Sequence, residues 1–391
     1  MKLAILTCGM LPIPAVQGGA VENLIDFYLE YNDRKKLHDI TVYSPWDAKA
    51  ERHTALSSDV NHYHFINVTS LMARTARRLY KCFHSGEYYN HYIEYYFERI
   101  YADLKKRDYD FIILENCPGY VCKLSQRGYR NLILHLHNDL LNSQSRRHEV
   151  IFNNLKKVLT VSKYVEGRVS TIQQSDKVIT VLNGIDLSKF TPNPSATSSR
   201  TKMGFTDEDF VMVYSGRINK DKGVSELIDA MLRMEDYRHI KLMILGSTFF
   251  DNAGIRDDFV CHLRNKCERI RDRIVFTGFI PYNQVPDYLR LADIAVLPSM
   301  WDEPFGLTIV EAMAVGLPLI TTRSGGIPEV CEGVATIVER HEIVNNLVSA
   351  ILDLYEHPEK RKQMAAASLQ RAKFYDKETF AKNFFSAILT S

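Results

Sequence analysis

The sequence lacks a long hydrophobic run. None of its apolar segments reaches the roughly 18 residues that a transmembrane helix needs, although the chain has 391 residues. The N-terminal stretch 1–9 has too short an apolar segment for a secretory signal peptide, and it has no small-residue cleavage site. We therefore expect no membrane-spanning helix, and we interpret this stretch as a first buried strand.

A strong charge of one sign and a regular cysteine framework are also missing. A formal net charge of +2 argues against a nucleic-acid-binding protein, although a local basic patch stays open. The seven cysteines are an odd number, and Cys117 and Cys122 do not have the Cys-x-x-Cys spacing of redox or zinc sites. This cysteine usage is typical of a reducing compartment, so we expect a cytoplasmic protein.

Short apolar runs alternate with helical patterns along the whole chain, which indicates an α/β protein with doubly wound parallel sheets. The Pro- and Ser-rich segment Thr191–Ser199 separates two series of such runs, so we predict domains at residues 1–190 and 200–373. The strands predicted in the first series are Lys2–Cys8, Ile40–Ser44, His64–Val68, Phe111–Glu115, Leu132–His137, Val158–Val161 and Val178–Leu182. Those predicted in the second are Val211–Tyr214, Lys241–Leu245, Ile274–Thr277, Ile294–Leu297, Leu319–Thr322 and Ala335–Val338.

The segment 297–318 contains a strand end, an acidic loop with a Pro-Phe-Gly turn, and a helical pattern that starts near Thr308. Backbone N–H groups at a helix start favour an anion. Glu303 in the loop and Glu311 in the first turns of the helix suit a ligand that has hydroxyls as well as phosphates. A structural alternative is that Thr308 and Glu311 form a capping box, with Glu303 as a solvated loop acid.

A second informative stretch follows the strand that begins at Val211. Its end at Gly216 makes Arg217 project from the carboxyl end of the strand, and Lys222 comes just before the next helix. Two fixed cations at this place suit an anionic ligand. The alternative is a solvated basic turn beside Asp221.

Two stretches of the first half point to the same edge of a sheet. Gly18 and Gly19 lie between the first strand and the first helix, where glycine allows a ligand close to the backbone, but no complete Gly-x-Gly-x-x-Gly is present. His135 and His137 share one face of a strand end. We expect His137 to be near the ligand and His135 to be a core residue. A zinc site that includes Asp139 is an alternative, although the metallo-hydrolase motif breaks at the next residue.

The string Glu303-Pro-Phe-Gly-Leu-Thr-Ile-Val-Glu311 resembles the Glu-x7-Glu motif of retaining nucleotide-sugar glycosyltransferases, specifically glycosyltransferase family 4 with the GT-B fold. The resemblance implies two facing Rossmann-like domains with a cleft between them. It also implies that the last helix, at about 374–391, returns to the N-terminal, acceptor-binding domain, while the C-terminal domain binds the donor.

The same resemblance implies a role for each matching residue. The catalytic group would be Glu303, Arg217, Lys222 and His137, and the donor-binding group Gly18, Gly19, Gly216, Phe305, Gly306, Leu307 and Glu311. The two cations would hold the diphosphate, Glu303 the sugar hydroxyls, and Glu311 the ribose. The loop Gly278–Pro281 would lie near the nucleobase. The family needs no cofactor and no metal ion, so none is predicted, and the reaction would be a retaining hexosyl transfer from a nucleotide sugar to a glycan or lipid-linked hydroxyl.

Residues 71–107 are less typical of the family. They contain eight Lys or Arg against four acids, together with many tyrosines. Basic and aromatic side chains on exposed helices suit an anionic membrane surface or a lipid-diphosphate acceptor. The alternative is an amphipathic helix whose tyrosines edge the core and whose basic face is solvated.

Other functions with the same fold remain open from the sequence. A nucleotide-sugar epimerase or a sugar phosphorylase would share the two-domain architecture. A non-catalytic subunit that binds sugar nucleotides is a further alternative, although the retained charged residues argue against it. The sequence does not identify the sugar, the base or the acceptor.

Overall fold

The computed structural model describes residues 1–54, 58–83, 91–192, 200–247 and 258–389. The chain forms two compact units, one from Met1–Asn183 together with Lys377–Ser391, and the other from Gly184–Asp376. The first unit thus ends at Asn183 rather than at residue 190, because the backbone of Ile185 pairs with residues 375 and 376 of the second unit. Most of the predicted linker, residues 193–199, lies outside the described residues.

The first unit contains a sheet of seven parallel strands in the order β3-β2-β1-β4-β5-β6-β7. Strands β1, β4, β5 and β6 are almost entirely buried, which explains their continuous apolar sequences, since helices cover both faces of such sheets. The strands are β1 (Lys2–Leu6), β2 (Asp39–Pro45), β3 (Asn61–Ile66), β4 (Phe111–Glu115), β5 (Leu132–Leu136), β6 (Lys157–Thr160) and β7 (Val178–Thr180).

Helices alternate with these strands, and a helix from the far end of the sequence completes the unit. They are α1 (Ala20–Lys35), α2 (Ala48–Thr54), α3 (Leu71–Phe83), α4 (His91–Leu104), α5 (Pro118–Gln126), α6 (His148–Asn153), α7 (Lys163–Ser170) and the terminal helix (Lys377–Leu389). The terminal helix packs on α1, where the rings of Tyr28 and Phe384 stack with their centroids 4.1 Å apart. The ammonium of Lys157 also donates to the carbonyl of Ala387 at 2.7 Å.

The second unit contains six parallel strands in the order β10-β9-β8-β11-β12-β13. They are β8 (Phe210–Ser215), β9 (Ile240–Leu245), β10 (Ile274–Gly278), β11 (Ile294–Leu297), β12 (Leu319–Thr322) and β13 (Thr336–Val338). The helices are α8 (Val224–Arg233), α9 (Asp258–Lys266), α10 (Val285–Leu289), α11 (Leu307–Ala314), α12 (Ile327–Cys331), α13 (Ile343–Glu356) and α14 (Pro358–Ala372), so the terminal helix of the first unit is α15.

These two sheets confirm the predicted α/β class with two Rossmann-like units. In each sheet the strand order reverses beside the first strand of the series, between β1 and β4 and between β8 and β11. Ligands of doubly wound sheets bind outside the carboxyl ends of the strands at such a point. Among the described residues, no helix has the length and apolar character needed to cross a membrane.

Candidate functional site

In the second unit, three loops meet at the carboxyl ends of the neighbouring strands β8, β11 and β12. The ammonium of Lys222, after β8, forms an ion pair with the carboxylate of Glu303, after β11. The hydroxyl of Ser299 donates to the same carboxylate at 2.8 Å. The Lys222 and Glu303 side chains are 22% and 13% exposed, so both remain accessible to a ligand although they are largely screened from bulk water.

Backbone contacts fix the loop that carries Lys222 against the loop that carries Glu303. The carbonyl of Asp221 accepts from the N–H groups of Met300 and Trp301 at 2.8 and 3.1 Å. Gly223 has a φ of +71°, and a Cβ there would lie 1.9 Å from the carbonyl oxygen of Pro298. Only glycine permits this approach without a shift of the backbone, so Gly223 keeps the two loops together.

The loop after β12 supports Glu303 from the other side. The N–H of Gly326 donates to the carbonyl of Glu303 at 2.7 Å. A Cβ on Gly325, whose φ is +56°, would lie 2.3 Å from that same carbonyl oxygen. Residues 324–326 therefore hold the backbone of the acidic loop in place.

The helix that carries Glu311 begins without a side-chain cap. Helix α11 starts at Leu307, and its N-cap is Gly306 with a φ of +96°. Thr308 thus lies inside the first turn, so the capping-box alternative is wrong. The ring of Phe305 is buried against the ring of Tyr375, with centroids 5.6 Å apart. No capping side chain among the described residues accepts from the N–H groups at this helix start, so they remain suited to an anion.

Glu311 is a buried carboxyl group in the same helix. Burial raises the pKa of Glu311 to about 7, although a hydrogen bond with the hydroxyl of Tyr282 acts in the opposite direction. The ring of Tyr282 lies against the ring of Phe190, with centroids 5.6 Å apart. Sequence reasoning missed Tyr282, which directly follows the loop 278–281 that was interpreted as the nucleobase site.

Arg217 and Gly216 lie where the sequence placed them, directly after β8. The Arg217 side chain is exposed and forms no hydrogen bond or ion pair with the described part of the chain, while its carbonyl accepts from Tyr214 at 2.8 Å. A Cβ on Gly246 would lie 1.9 Å from the carbonyl oxygen of Gly216, so the ends of β8 and β9 approach closely. Arg217 thus has a fixed backbone and a guanidinium that can bind a ligand.

In the first unit, Gly18 and Gly19 form the turn before α1. Gly19 is the N-cap of α1 and has a φ of +109°, and a Cβ there would lie 2.1 Å from a carboxylate oxygen of Glu22. Gly18 has a φ of +78° and open space at its Cβ position. Burial raises the pKa of Glu22 to about 7. The glycine turn therefore adjoins a buried carboxyl group that the sequence did not single out.

The first unit also brings together Glu115 at the end of β4 with His135 and His137 at the end of β5. Nδ1 of His135 and Nε2 of His137 lie 3.1 and 2.8 Å from Oε2 of Glu115. The hydroxyl of Tyr28 donates to Oε1 of Glu115 at 3.0 Å. All four side chains are buried, as expected for His135. We name this group the Glu115 cluster: Tyr28, Glu115, His135 and His137.

Electrostatics keep the Glu115 carboxylate ionised and the His137 ring neutral. Burial alone would raise the pKa of Glu115, but the two histidines outweigh it and hold that pKa well below its usual range. Burial and the nearby His135 lower the pKa of His137 to about 4, against the opposing effect of Glu115. A buried carboxylate with three hydrogen-bond donors is therefore the ground state of the cluster.

The Glu115 cluster also bears on the zinc alternative. One ligand atom each from Glu115, His135 and His137 lies within 4.8 Å of the others, close enough to hold a metal ion. Asp139 is not among them, since its carboxylate instead contacts Tyr164 at 3.3 Å and Arg168 at 3.6 Å. The alternative of a His-x-His-x-Asp ligand set is therefore wrong, while the predicted absence of a metal stays a prediction.

Comparisons with known proteins indicate which proteins the chain is similar to. Residues 195–371 match the model of glycosyl transferases group 1. A putative glycosyltransferase, YtcC of Bacillus subtilis, is 28% identical over 98% of this chain and 85% of its own length. Spore coat protein SA of the same organism is 26% identical over 95% of this chain and 94% of its own length.

A solved structure supports the fold over the whole chain. Anabaena Alr3699/HepE, crystallised in complex with UDP and glucose, is 21% identical, with a TM-score of 0.75 over 100% of both chains. At this identity the likeness concerns the fold, which is GT-B. The chain thus has the GT-B fold, and the comparisons together support a glycosyltransferase whose residues 195–371 match the group 1 model.

Proposed function

We propose that this protein is a retaining, metal-independent glycosyltransferase of family 4 that moves a hexosyl group from a nucleoside-diphosphate sugar to a hydroxyl acceptor. The observation that carries the proposal is the accessible ion pair of Lys222 and Glu303 at the strand-order reversal of the second unit. A cation and an acid are held there by backbone contacts, beside a helix start without a side-chain cap. This combination matches a ligand that has a diphosphate and a sugar.

Donor binding would rearrange this ion pair. The diphosphate attracts the ammonium of Lys222 and the guanidinium of Arg217, and the sugar hydroxyls then take over the carboxylate of Glu303 as their acceptor. The N–H groups of Phe305, Gly306 and Leu307 would contact the sugar or the phosphate. The UDP complexes of Anabaena HepE support a nucleoside-diphosphate donor.

The ribose would bind at Glu311. An ionised carboxylate accepts from two vicinal hydroxyls, and Tyr282 stabilises the ionised form by donating a hydrogen bond. Since Glu311 is buried, the free protein holds a large fraction of it protonated near neutral pH. Ribose hydroxyls would shift that balance towards the carboxylate, so donor binding is coupled to loss of a proton from Glu311.

In the transfer itself, the bond between the sugar C1 and the phosphate oxygen breaks, and its electron pair leaves with the diphosphate. The acceptor hydroxyl forms the new bond to C1 on the face that the diphosphate vacates, so the anomeric configuration is retained. The phosphate oxygen takes the hydroxyl proton. Arg217 and Lys222 stabilise the charge that develops on the leaving group.

The acceptor side is proposed from helix α3. Leu71, Met72 and Leu79 are exposed on this helix together with the basic Arg74 and Arg78. Exposed apolar and basic side chains on one helix suit an anionic membrane surface. We propose a lipid-linked or cell-surface glycan precursor as acceptor, reached by a cytoplasmic enzyme bound peripherally to the membrane. Residues 84–90 of the basic segment lie outside the described residues.

Two measurements test the function. A panel of nucleotide sugars is screened for thermal stabilisation, because a ligand that binds the native state raises the melting temperature. The best donor is then incubated with hydroxyl acceptors, and the anomeric configuration of the product is read by NMR. Isomerisation of the donor alone would indicate an epimerase, and dependence on free phosphate a phosphorylase. Binding without turnover would indicate a non-catalytic subunit.

A further inference from the structure

We propose that Glu115 is a positioning residue that holds the ring of His137 in a single orientation and tautomer, so that Nδ1 of His137 presents a lone pair. This inference rests on the proposed glycosyltransferase function, for which the sequence resemblance counts His137 among the catalytic residues. The Glu115 cluster lies at the carboxyl ends of β4 and β5, next to the strand-order reversal between β1 and β4 where a doubly wound sheet binds its ligands.

The tautomers follow from the acceptor they share. An ionised carboxylate has no proton to donate, so each imidazole nitrogen within hydrogen-bond reach of it must carry one. Nδ1 of His135 and Nε2 of His137 contact Glu115 at 3.1 and 2.8 Å. In a neutral ring the other nitrogen is then a bare acceptor. Nδ1 of His137 and Nε2 of His135 are both buried and have no partner among the described residues.

The two histidines differ in the exposure of their side chains and in their position relative to β5. The side chain of His135 is 0% exposed and that of His137 is 5% exposed. His137 also directly follows β5, on the carboxyl side of the sheet. Its N–H donates to the amide oxygen of Asn116 at 3.2 Å, so its backbone and its ring are both held by the end of β4. His137 is therefore the member of the pair that lies nearer the edge where doubly wound sheets bind their ligands.

Glu115 is itself fixed from the other side. Tyr28 of α1 donates to its Oε1, and the Tyr28 ring stacks on Phe384 of α15 at 4.1 Å. The orientation of His137 is thus set through Glu115 and Tyr28 by two helices. A lone pair on Nδ1 accepts from a hydroxyl but cannot donate to a phosphate oxygen, so a sugar hydroxyl is the group it would recognise.

NMR detects the arrangement without any activity assay. Histidine-ring 15N spectra of the full chain should show the Nε2–H tautomer for His137 and the Nδ1–H tautomer for His135. Glu115→Ala leaves both rings without the oxygen they share, so at least one histidine should lose its single tautomer. An Nδ1–H tautomer of His137 in the wild type would overturn the proposal. So would a stoichiometric metal ion in the purified protein, measured by elemental analysis, because the metal would replace the shared hydrogen bonds.

Kinetics separate positioning from mere stability. For histidines that bind a metal, loss of the residue that orients the ring costs about 10- to 100-fold in affinity or activity, and we take the same range here. We expect a fall of that size in kcat for Glu115→Ala, with KM for the donor changed by less than about threefold, and a smaller fall for Tyr28→Phe. The control is Tyr43→Phe, which removes the 3.0 Å hydrogen bonds of another buried tyrosine of the first unit to Asp103 and Tyr109. Equal losses of kcat in Tyr28→Phe and Tyr43→Phe would refute the positioning role of Glu115.

A double-mutant cycle completes the test. In a His137→Asn background, Glu115→Ala should have almost no further effect on kcat, since the ring that Glu115 orients is gone. Independent, additive effects would overturn the inference. If Glu115→Ala does not fold, Tyr28→Phe is used in the same cycle and read in the same way. If the wild type transfers no sugar at all, the proposed function fails, while the NMR result still decides the tautomer.

Discussion

Replacing Glu303 or Lys222 with alanine separates catalysis from stability in this protein. In the free protein Glu303 accepts from Lys222 and from the hydroxyl of Ser299, at 2.8 Å for the latter. A hydrogen bond of this kind and a partly exposed ion pair each contribute about 1 kcal/mol. Glu303→Ala should therefore lower the free energy of unfolding by about 1–2 kcal/mol.

The effect on turnover should be larger. Removing one fixed group that stabilises the transition state lowers the rate at least about 100-fold, which corresponds to about 2.7 kcal/mol. A domain with an unfolding free energy of about 5–15 kcal/mol stays folded after a loss of 1–2 kcal/mol. The rate loss in Glu303→Ala or Lys222→Ala would then arise in the site and not from unfolding.

The assay measures release of the nucleoside diphosphate under saturating donor, together with urea denaturation of each variant. The matched control is the pair Arg323 and Glu339, which forms an ion pair of 2.8 Å in the same unit with side chains 48% and 63% exposed. Arg323→Ala and Glu339→Ala should change turnover by less than about twofold. Near-wild-type turnover in both Glu303→Ala and Lys222→Ala would refute the assignment of this site.

Three further predictions concern Glu311, Gly223 and helix α3. Because the pKa of Glu311 is raised to about 7, the Glu311 side chain is mostly protonated at pH 6 and mostly ionised at pH 8. Calorimetry should therefore show that donor affinity rises about five- to tenfold between these two pH values. Gly223→Ala places a Cβ against a backbone carbonyl at a φ of +71°, and urea denaturation should show a loss of about 2–4 kcal/mol. Arg74→Glu combined with Arg78→Glu should abolish flotation with anionic liposomes and leave transfer to a soluble acceptor unchanged.

Each of these predictions has its own control. Glu311→Gln should remove the pH dependence of donor affinity, and a slope that persists in this variant would assign it to another group. Gly204 has a φ of +80° but open space at its Cβ position, so Gly204→Ala should lower the free energy of unfolding by only about 1 kcal/mol. If Gly204→Ala lost as much stability as Gly223→Ala, the close approach of Gly223 to the carbonyl of Pro298, directly after β11, could not be the cause. Liposome binding unchanged by the arginine substitutions would exclude α3 as the membrane contact.

The strands could be predicted from the sequence because their runs are apolar and bounded by turns. Each predicted strand overlaps a strand of the structure, and the differences are confined to their ends, as with Asn61–Ile66 in place of His64–Val68. Local pattern was enough for such elements, since a strand buried on both faces must be apolar throughout.

The partners of the site residues could not be predicted in the same way. Glu115 ends an apolar strand and carries no motif of its own, and its contact with His135 depends on the register of β4 against β5. The same is true of Tyr282 and Glu311, which lie on separate elements. A usable signal existed in the first case: an acid and a histidine each end a buried strand, and adjacent parallel strands bring such ends together. The capping-box alternative failed because Gly306, two residues before Thr308, is the N-cap of α11.

The terminal helix α15 makes the first unit discontinuous in sequence. The whole second unit lies between Asn183 and Lys377 and is therefore an insertion in the first. During synthesis the second unit is complete before α15 leaves the ribosome, so it can fold first although it begins later in the chain. Until α15 arrives, Tyr28 lacks its stacking partner Phe384, so the face of α1 that α15 covers stays uncovered in the nascent first unit.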